Sequence, residues 1–263
     1  MSFVTRILNR GLRSLNLEIS YRNEAQAMRA TMRGALSRAS ENGLKPKTVI
    51  DVGAANGTIP LYQCFPEARV ILIEPLREFE SALGELSKKL KTAEYFIAAA
   101  ASSPGEIVLN VHPDLVGSSV FKEEEDSDVN GIERVVPAVT IDGLCEDRKT
   151  EPPYLIKIDT QGAELEVLKG AESVLRETEC IIIEVSLFEF FKGGPQIYDC
   201  MDFMMARGFV AYDLFDPQYR LLDGAMSQID IAFVQEKSRF RRFQCYATPG
   251  QRAEQNRRFG VKS

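Results

Sequence analysis

The residues of this chain best able to do chemistry stand at the ends of short apolar runs. Glu74 follows Arg69–Ile73, Asp159 follows Leu155–Ile158 with Lys157 inside that run, and Glu184 lies within Ile181–Val185. Thr160 and Gln161 come directly after Asp159. Carboxylates accept hydrogen bonds and protons, and a lysine supplies positive charge. Polar groups this close to buried strands need partners, from one another or from a ligand. The structural alternative is a Lys157–Asp159 ion pair, with Glu164 near the N-terminus of the following helix.

A second constellation is Asp51-Val52-Gly53-Ala54-Ala55-Asn56-Gly57, at the end of another apolar run. Gly53 and Gly57 permit tight or positive-φ geometry, and Ala54 and Ala55 leave space above the turn. Glu74 comes about 20 residues later, where a carboxylate on the second strand meets the ribose hydroxyls of an adenosine. Dinucleotide cofactors prefer G-x-G-x-x-G, which sets their pyrophosphate on a helix N-terminus. Here no third glycine follows Gly53 and Gly57, so the spacing favours adenosine without pyrophosphate. Asp51, Gly53, Ala54, Asn56, Gly57 and Glu74 are candidate cofactor residues. The alternatives are a structural turn for the loop and a helix-capping surface acid for Glu74.

These residues need a scaffold, and the pattern from residue 48 onward supplies one. Short apolar runs alternate with amphipathic stretches, which predicts an α/β fold with a doubly wound, mostly parallel sheet. The predicted strands are Thr48–Val52, Arg69–Ile73, Tyr95–Ala98, Ile107–His112, Leu155–Asp159, Ile181–Val185, Val210–Asp213 and Gln228–Val234. The last reads as an added antiparallel strand closing the sheet. Phe79–Lys91, Glu164–Arg176 and Tyr198–Arg207 read as helices. In an open α/β sheet ligands bind at the carboxyl edge of the strands, where Lys157, Asp159, Thr160 and Gln161 are delivered.

Before this domain, Phe3, Val4, Ile7, Leu8, Leu12 and Leu15 recur at helical spacing opposite Arg6, Asn9, Arg10 and Arg13. That predicts an amphipathic basic helix, which packs on the domain or a second subunit, or lies on a membrane surface. The expected organisation is an N-terminal extension over 1–45, a ligand-binding domain over 46–236 and a basic C-terminal arm over 237–263.

Composition bounds the rest. The chain has 263 residues, 44% hydrophobic and 27% charged, with net charge −6, which fits a soluble globular protein. No apolar run of about 18 residues or secretory signal is evident, so the expected location is cytoplasmic, with peripheral contact at the inner membrane face through 1–15 left open. Residues 1–40 carry seven arginines against Glu18 and Glu24, and residues 237–263 carry eight basic residues against Glu254. An acidic body with basic ends is a poor general nucleic-acid binder. Cys64, Cys145, Cys180, Cys200 and Cys245 contain no C-x-x-C and read as reduced thiols. With His112 the sole histidine, a His-rich metal site is excluded; no metal is expected, although a carboxylate-only Mg²⁺ site stays open.

The motifs taken in order closely resemble the FkbM-type methyltransferases. They are Val49-Ile50-Asp51-Val52-Gly53-Ala54 with Asn56-Gly57, Ile73-Glu74-Pro75, Ala99 through Gly105-Glu106, Thr140-Ile141-Asp142, Lys157-Ile158-Asp159 with Gly162-Ala163-Glu164, and Leu168-Lys169-Gly170-Ala171. The resemblance covers residues 48–235, and Gln161 stands where the common family pattern has Glu. It implies a Rossmann-like class I methyltransferase fold with a seven-stranded sheet, and S-adenosylmethionine as cofactor. It also implies mainly O-methylation, with sugars and natural-product hydroxyls among the acceptors, and it adds Pro75 and Ala99 to the cofactor-binding set.

For such a reaction an unactivated hydroxyl must lose its proton. Asp159 is the candidate base, Glu184 the second choice, and Lys157 a group that polarises or orients the acceptor. His112 is a further titratable candidate or a structural histidine. The segment His112–Glu133 reads as a lid or acceptor-recognition loop, or as an irregular surface insertion. Tyr154, Phe188, Phe190 and Phe191 are candidates for an acceptor pocket or for the core. The expected partner is a small-molecule or glycan acceptor, with homo-oligomerisation left open. Two other classes stay open: a non-catalytic S-adenosylmethionine-binding scaffold, and a nicotinamide-dependent oxidoreductase on a similar sheet.

Overall fold

The computed structural model describes residues 28–124 and 129–258, so the amphipathic segment Phe3–Leu15 lies outside the described residues. The elements in chain order are α1 (Met32–Glu41), β1 (Thr48–Val52), α2 (Ile59–Cys64), β2 (Arg69–Glu74), α3 (Glu80–Lys89), β3 (Ala93–Ile97), β4 (Ala99–Ala100), β5 (Gly105–Val111) and β6 (Ile132–Val139). Then come α4 (Ile141–Arg148), β7 (Tyr154–Ile158), α5 (Glu164–Lys169), α6 (Glu172–Arg176), β8 (Thr178–Ser186), α7 (Ile197–Ala206), β9 (Phe209–Tyr219), β10 (Met226–Gln235) and α8 (Pro249–Arg258).

One seven-stranded sheet runs in the order β3-β2-β1-β7-β8-β10-β9. β1, β2, β3, β7 and β8 pair in parallel, and β10 runs antiparallel to both its neighbours. This is the doubly wound, mostly parallel α/β fold that the sequence predicts. Every residue of β1 and of β7 is buried, because helices cover both faces of the sheet. Val49, Val70 and Leu155 pack on one face with Leu36 and Leu61, while Ile50, Ile71 and Ile156 pack on the other with Val167 and Met204. The chain leaves β1 toward β2 on one side and returns to β7 on the other. That reversal opens a crevice at the carboxyl ends of β1 and β7.

Several elements differ from expectation. β10 lies between β8 and β9 instead of closing the sheet, and β9 is the edge. The strand predicted at Ile107–His112 is β5, which belongs to a separate three-stranded sheet of order β4-β6-β5. The helix predicted over Glu164–Arg176 is two helices, α5 and α6. They part at Gly170, where a Cβ would come within 2.0 Å of the Ala101 carbonyl oxygen. Asp142 fixes this break by accepting hydrogen bonds from the Ser173 and Val174 amides at the start of α6, each as short as 2.9 Å.

The ends of the described chain dock unequally. The Thr31 hydroxyl caps α1 by accepting from the Gly34 amide at 3.2 Å, and α1 buries Leu36 against the sheet, worth about 2 kcal/mol. Arg239 bonds both oxygens of Glu179 and the Gly43 carbonyl, whereas α8 buries no residue. No helix among the described residues is long and apolar enough to cross a membrane.

Candidate active site

The crevice is built first by the turn after β1. Gly53 and Ala54 both donate to the Ile73 carbonyl, at 3.0 and 3.2 Å, and Asp159 donates its amide to the Val52 carbonyl at 3.0 Å. The tips of β1, β2 and β7 are thereby laced together. Gly53 has φ +71°, and a Cβ there would lie 1.7 Å from the Asp159 carbonyl oxygen, so only glycine lets the two tips meet. Gly57, at φ +95°, serves packing instead: a Cβ there would strike Leu86 at 2.3 Å.

Glu74, at the tip of β2, closes the far side. Its carboxylate accepts from the amides of Ala55 and Leu76, each at 2.9 Å, and is 5% exposed. Burial pushes its pKa up against the pull of those two amides. Between Glu74 and Asp159 opens a cavity with about 770 Å³ of space when its open mouth is included. Its floor is Gly53, Ala55, Pro75 and Ala99, and its apolar wall includes Phe79 and Ile107. Leu115, Val116 and Val120 from the loop after β5 line the opposite side. Ser119 pins that loop, donating its hydroxyl to the Gln161 carbonyl at 2.5 Å while exchanging backbone hydrogen bonds with Asn110.

Beside the cavity a band of charge crosses one face of the sheet. Asp51 faces Lys157 across the β1–β7 pair, and Glu184 faces Asp230 across the β8–β10 pair. The Lys157 ammonium lies 3.1 Å from Asp159 and 3.8 Å from Asp51. Burial alone would strip its proton, but Asp159 and then Asp51 outweigh that and raise its pKa. The Tyr62 hydroxyl donates to the other oxygen of Asp51; burial, followed by the Asp51 charge, raises the phenol's pKa. Gln161, itself at φ +52°, places one amide nitrogen 2.9 Å from Asp159 and 3.1 Å from Glu184. Gln218 and Gln228 also donate to Glu184, at 2.6 and 2.8 Å. Burial, with Asp159 and Asp230 nearby, pushes Glu184 up to about 8. Asp230 is pushed up to about 7, chiefly by burial.

Of the residues expected from the sequence, Gly53, Glu74, Pro75, Ala99 and Asp159 share the cavity wall. Asp51 is fully buried beneath the loop, Ala54 is buried, Asn56 is exposed, and Gly57 packs on Leu86 and Tyr62; none of these four lines the cavity. Lys157 is 5% exposed and meets the cavity only through Asp159, and Glu184 stands behind Gln161. Glu164 accepts from the Thr160 and Gly162 amides and so shapes the turn after β7.

Two other expectations change. Tyr154 pairs with Thr48 at the opposite end of the sheet, so it cannot line an acceptor pocket. His112 turns away from the cavity toward Asp114 at 2.7 Å and Glu123 at 3.8 Å, and the Phe191 ring packs at Gly162. The sequence reading missed Phe79, Ile107, Gln218, Gln228 and Asp230, and it took Ala55, which lines the cavity, only as a small residue leaving space above the turn. For Asp230 the signal was an acid between Ile229 and Ile231 in an apolar strand.

The family profile described as "Methyltransferase FkbM domain" matches residues 51–211, more than half of the chain and every strand tip described above. The chain belongs to the FkbM methyltransferase family. Among curated relatives of this FkbM chain, "Methyltransferase sdnD" of Sordaria araneosa is 27% identical over 155 residues, covering 47% of this chain and 60% of that protein. "Hexuronic acid methyltransferase AglP" of Haloferax volcanii is 27% identical over 136 residues, covering 51% and 54%. The chain therefore spans little more than half the length of either. Among solved structures, N-methyltransferase NodS from Bradyrhizobium japonicum aligns with TM-score 0.44 at 9% identity, over 81% of this chain and 98% of that one. Magnesium protoporphyrin IX methyltransferase from Synechocystis PCC 6803 aligns with TM-score 0.41 at 10% identity, over 89% and 98%.

The cofactor of this FkbM domain is S-adenosylmethionine, and the residues present fit it. Each Glu74 oxygen accepts one backbone amide and keeps a further acceptor position, enough for two vicinal ribose hydroxyls. The apolar wall at Phe79 and Ile107 suits a flat base, and the glycine turn keeps side chains out of the floor.

Proposed function

We propose that this FkbM chain is an O-methyltransferase acting on a hydroxyl of a sugar, glycolipid or natural product, with Asp159 as the base. The observation that carries the reading is that Asp159, at the tip of β7, lines the same cavity as Glu74 and Gly53, with β1 lying between β7 and the Glu74 strand. When bound, S-adenosylmethionine supplies a methyl group on a sulfonium, open to displacement by an acceptor oxygen. The chain's own part is orientation and proton handling. Glu74 and the Gly53 turn fix the donor, and the Leu115–Val120 loop shields the cavity from water. Asp159 accepts the hydroxyl proton, held in place by Lys157 on one oxygen and Gln161 on the other. Lys157 acts as a buried counter-charge that orients Asp159, and Glu184 is the second carboxyl of the pair. The methyltransferase domain in this reading is 46–236, flanked by the extensions 1–45 and 237–263.

The test is incubation of the full chain with S-adenosylmethionine and a panel of glycans and polyhydroxylated natural products, read by S-adenosylhomocysteine release and product mass. Asp159→Asn is expected to lower kcat by about 10²-fold or more while leaving donor affinity unchanged. A donor-binding chain that methylates nothing in the panel would favour the scaffold alternative. Full activity in Asp159→Asn would remove Asp159 as base.

A further inference from the structure

The proposed chemistry leaves the buried acid Asp230 without a part. Asp230 is 8% exposed in β10, within the otherwise apolar stretch Ile229–Val234, and its register partner on β8 is Glu184. Directly paired residues on neighbouring strands project to the same face, so the two carboxyls stand side by side. The charged groups facing them are Asp159 and Lys157 from β7, Asp51 from β1 beyond Lys157, and Asp216 from β9. Four carboxyls, Asp51, Asp159, Glu184 and Asp230, thus share one ammonium. That ammonium sits at the Asp51–Asp159 end. At the Glu184 end the donors are three neutral amides, Gln161, Gln218 and Gln228, which orient the carboxyl without offering it a counter-charge.

Like charges this close cannot all persist in a buried setting, so a proton is retained in the cluster. The layout decides where. Asp159 has the Lys157 ammonium at 3.1 Å and a side chain 29% exposed. Glu184 has a second acid alongside it, which favours its protonated form. We propose that Asp230 is a positioning residue for methyl transfer: standing beside Glu184, it helps to hold a proton on that carboxyl, so that Asp159, and not Glu184, is the carboxyl that takes the acceptor's proton. In methyl transfer a lone pair of the acceptor oxygen would form the new O–C bond as the methyl–sulfur bond breaks, its electron pair staying on the departing sulfur. The acceptor's O–H pair would stay on oxygen while the proton goes to Asp159, whose exposed edge would return it to water. Without Asp230, Glu184 loses its proton at lower pH. This inference rests on the assignment of Asp159 as base.

The test is a carboxyl carbon-13 NMR titration of the full chain, with Glu184 assigned by its substitution. In the native chain the Glu184 midpoint is expected near 8, where burial, Asp159 and Asp230 hold it. Asp230→Asn is expected to lower that midpoint by about 1 unit, and Asp230→Glu, which keeps the charge, to restore it to within about 0.3 unit. A folded Asp230→Asn chain with an unmoved midpoint would overturn the proposal. If Asp230→Asn does not fold, Asp230→Ser takes its place with the same expectation. The titration needs neither acceptor nor turnover, so its failure strikes the role of Asp230 alone, whereas loss of methyl transfer in the acceptor screen strikes the proposed activity.

Discussion

Replacing Glu184 by glutamine makes the buried charge measurable as stability. The native Glu184 carboxyl is held at about 8, against an ordinary 4.5, by burial and by Asp159 and Asp230. Folding therefore takes up a proton at neutral pH. The native chain is fully stabilised with respect to this group below pH 4.5, loses stability as pH rises toward about 8, and levels off above that. A pKa difference of one is worth about 1.4 kcal/mol, so the ceiling on this loss is ~5 kcal/mol. Because Asp230 titrates in the same range, the expected loss falls to ~2–3 kcal/mol. Glu184→Gln abolishes that loss because the amide does not titrate. It also turns an amino group toward donors from Gln161, Gln218 or Gln228, at a cost of about 1–3 kcal/mol at every pH. The variant should thus be the less stable chain at pH 5 and should match or overtake the native one by pH 9. Urea unfolding at pH 5, 7 and 9, compared between the two chains, reads the effect directly. Stability curves that stay parallel over this range would refute the reasoning.

Further outcomes follow from the packing. Gly170→Ala drives a methyl group to within 2.0 Å of the Ala101 carbonyl and should lower stability by about 2–3 kcal/mol; a melting temperature unchanged to within a degree would show that the break between α5 and α6 yields freely. Asp142→Ala removes the acceptor for the Ser173 and Val174 amides and should cost about 1–3 kcal/mol, with a urea midpoint equal to that of the native chain as the contrary result. Leu115→Asp sets a carboxylate into the apolar wall of the cavity and should weaken S-adenosylhomocysteine binding by about tenfold or more. Unchanged affinity in a folded Leu115→Asp chain would mean that the loop does not cover the donor.

Much of the scaffold was legible because buried parallel strands announce themselves as unbroken apolar runs. Leu155–Ile158 and Ile181–Val185 are the centres of β7 and β8 for that reason. β6 went unread because most of it faces outward: Ile132 is 78% exposed, and Glu133, Arg134 and Pro137 interrupt any apolar run. The break at Gly170 was hidden because the clash that enforces it involves Ala101, distant in sequence. In the site, Glu74, Gly53 and Asp159 were legible because strand tips and glycine turns have fixed positions in a doubly wound sheet. Asp51 and Lys157 were read as ligand-facing, yet they turn inward onto Tyr62, Asp159 and each other, a choice made by tertiary partners that local sequence does not encode. The same holds for Tyr154, whose place at the opposite end of β7 follows from register with Thr48.

The central claim, that the cavity between Glu74 and Asp159 is the S-adenosylmethionine site, is tested most directly by calorimetric titration with S-adenosylmethionine and S-adenosylhomocysteine. The native chain should bind both. Glu74→Ala, which removes the carboxylate, and Gly53→Val, which forces a side chain onto the Asp159 carbonyl, should each lose that binding while remaining folded. A folded native chain that binds neither ligand, or a Glu74→Ala chain that binds as tightly as the native one, would contradict the account.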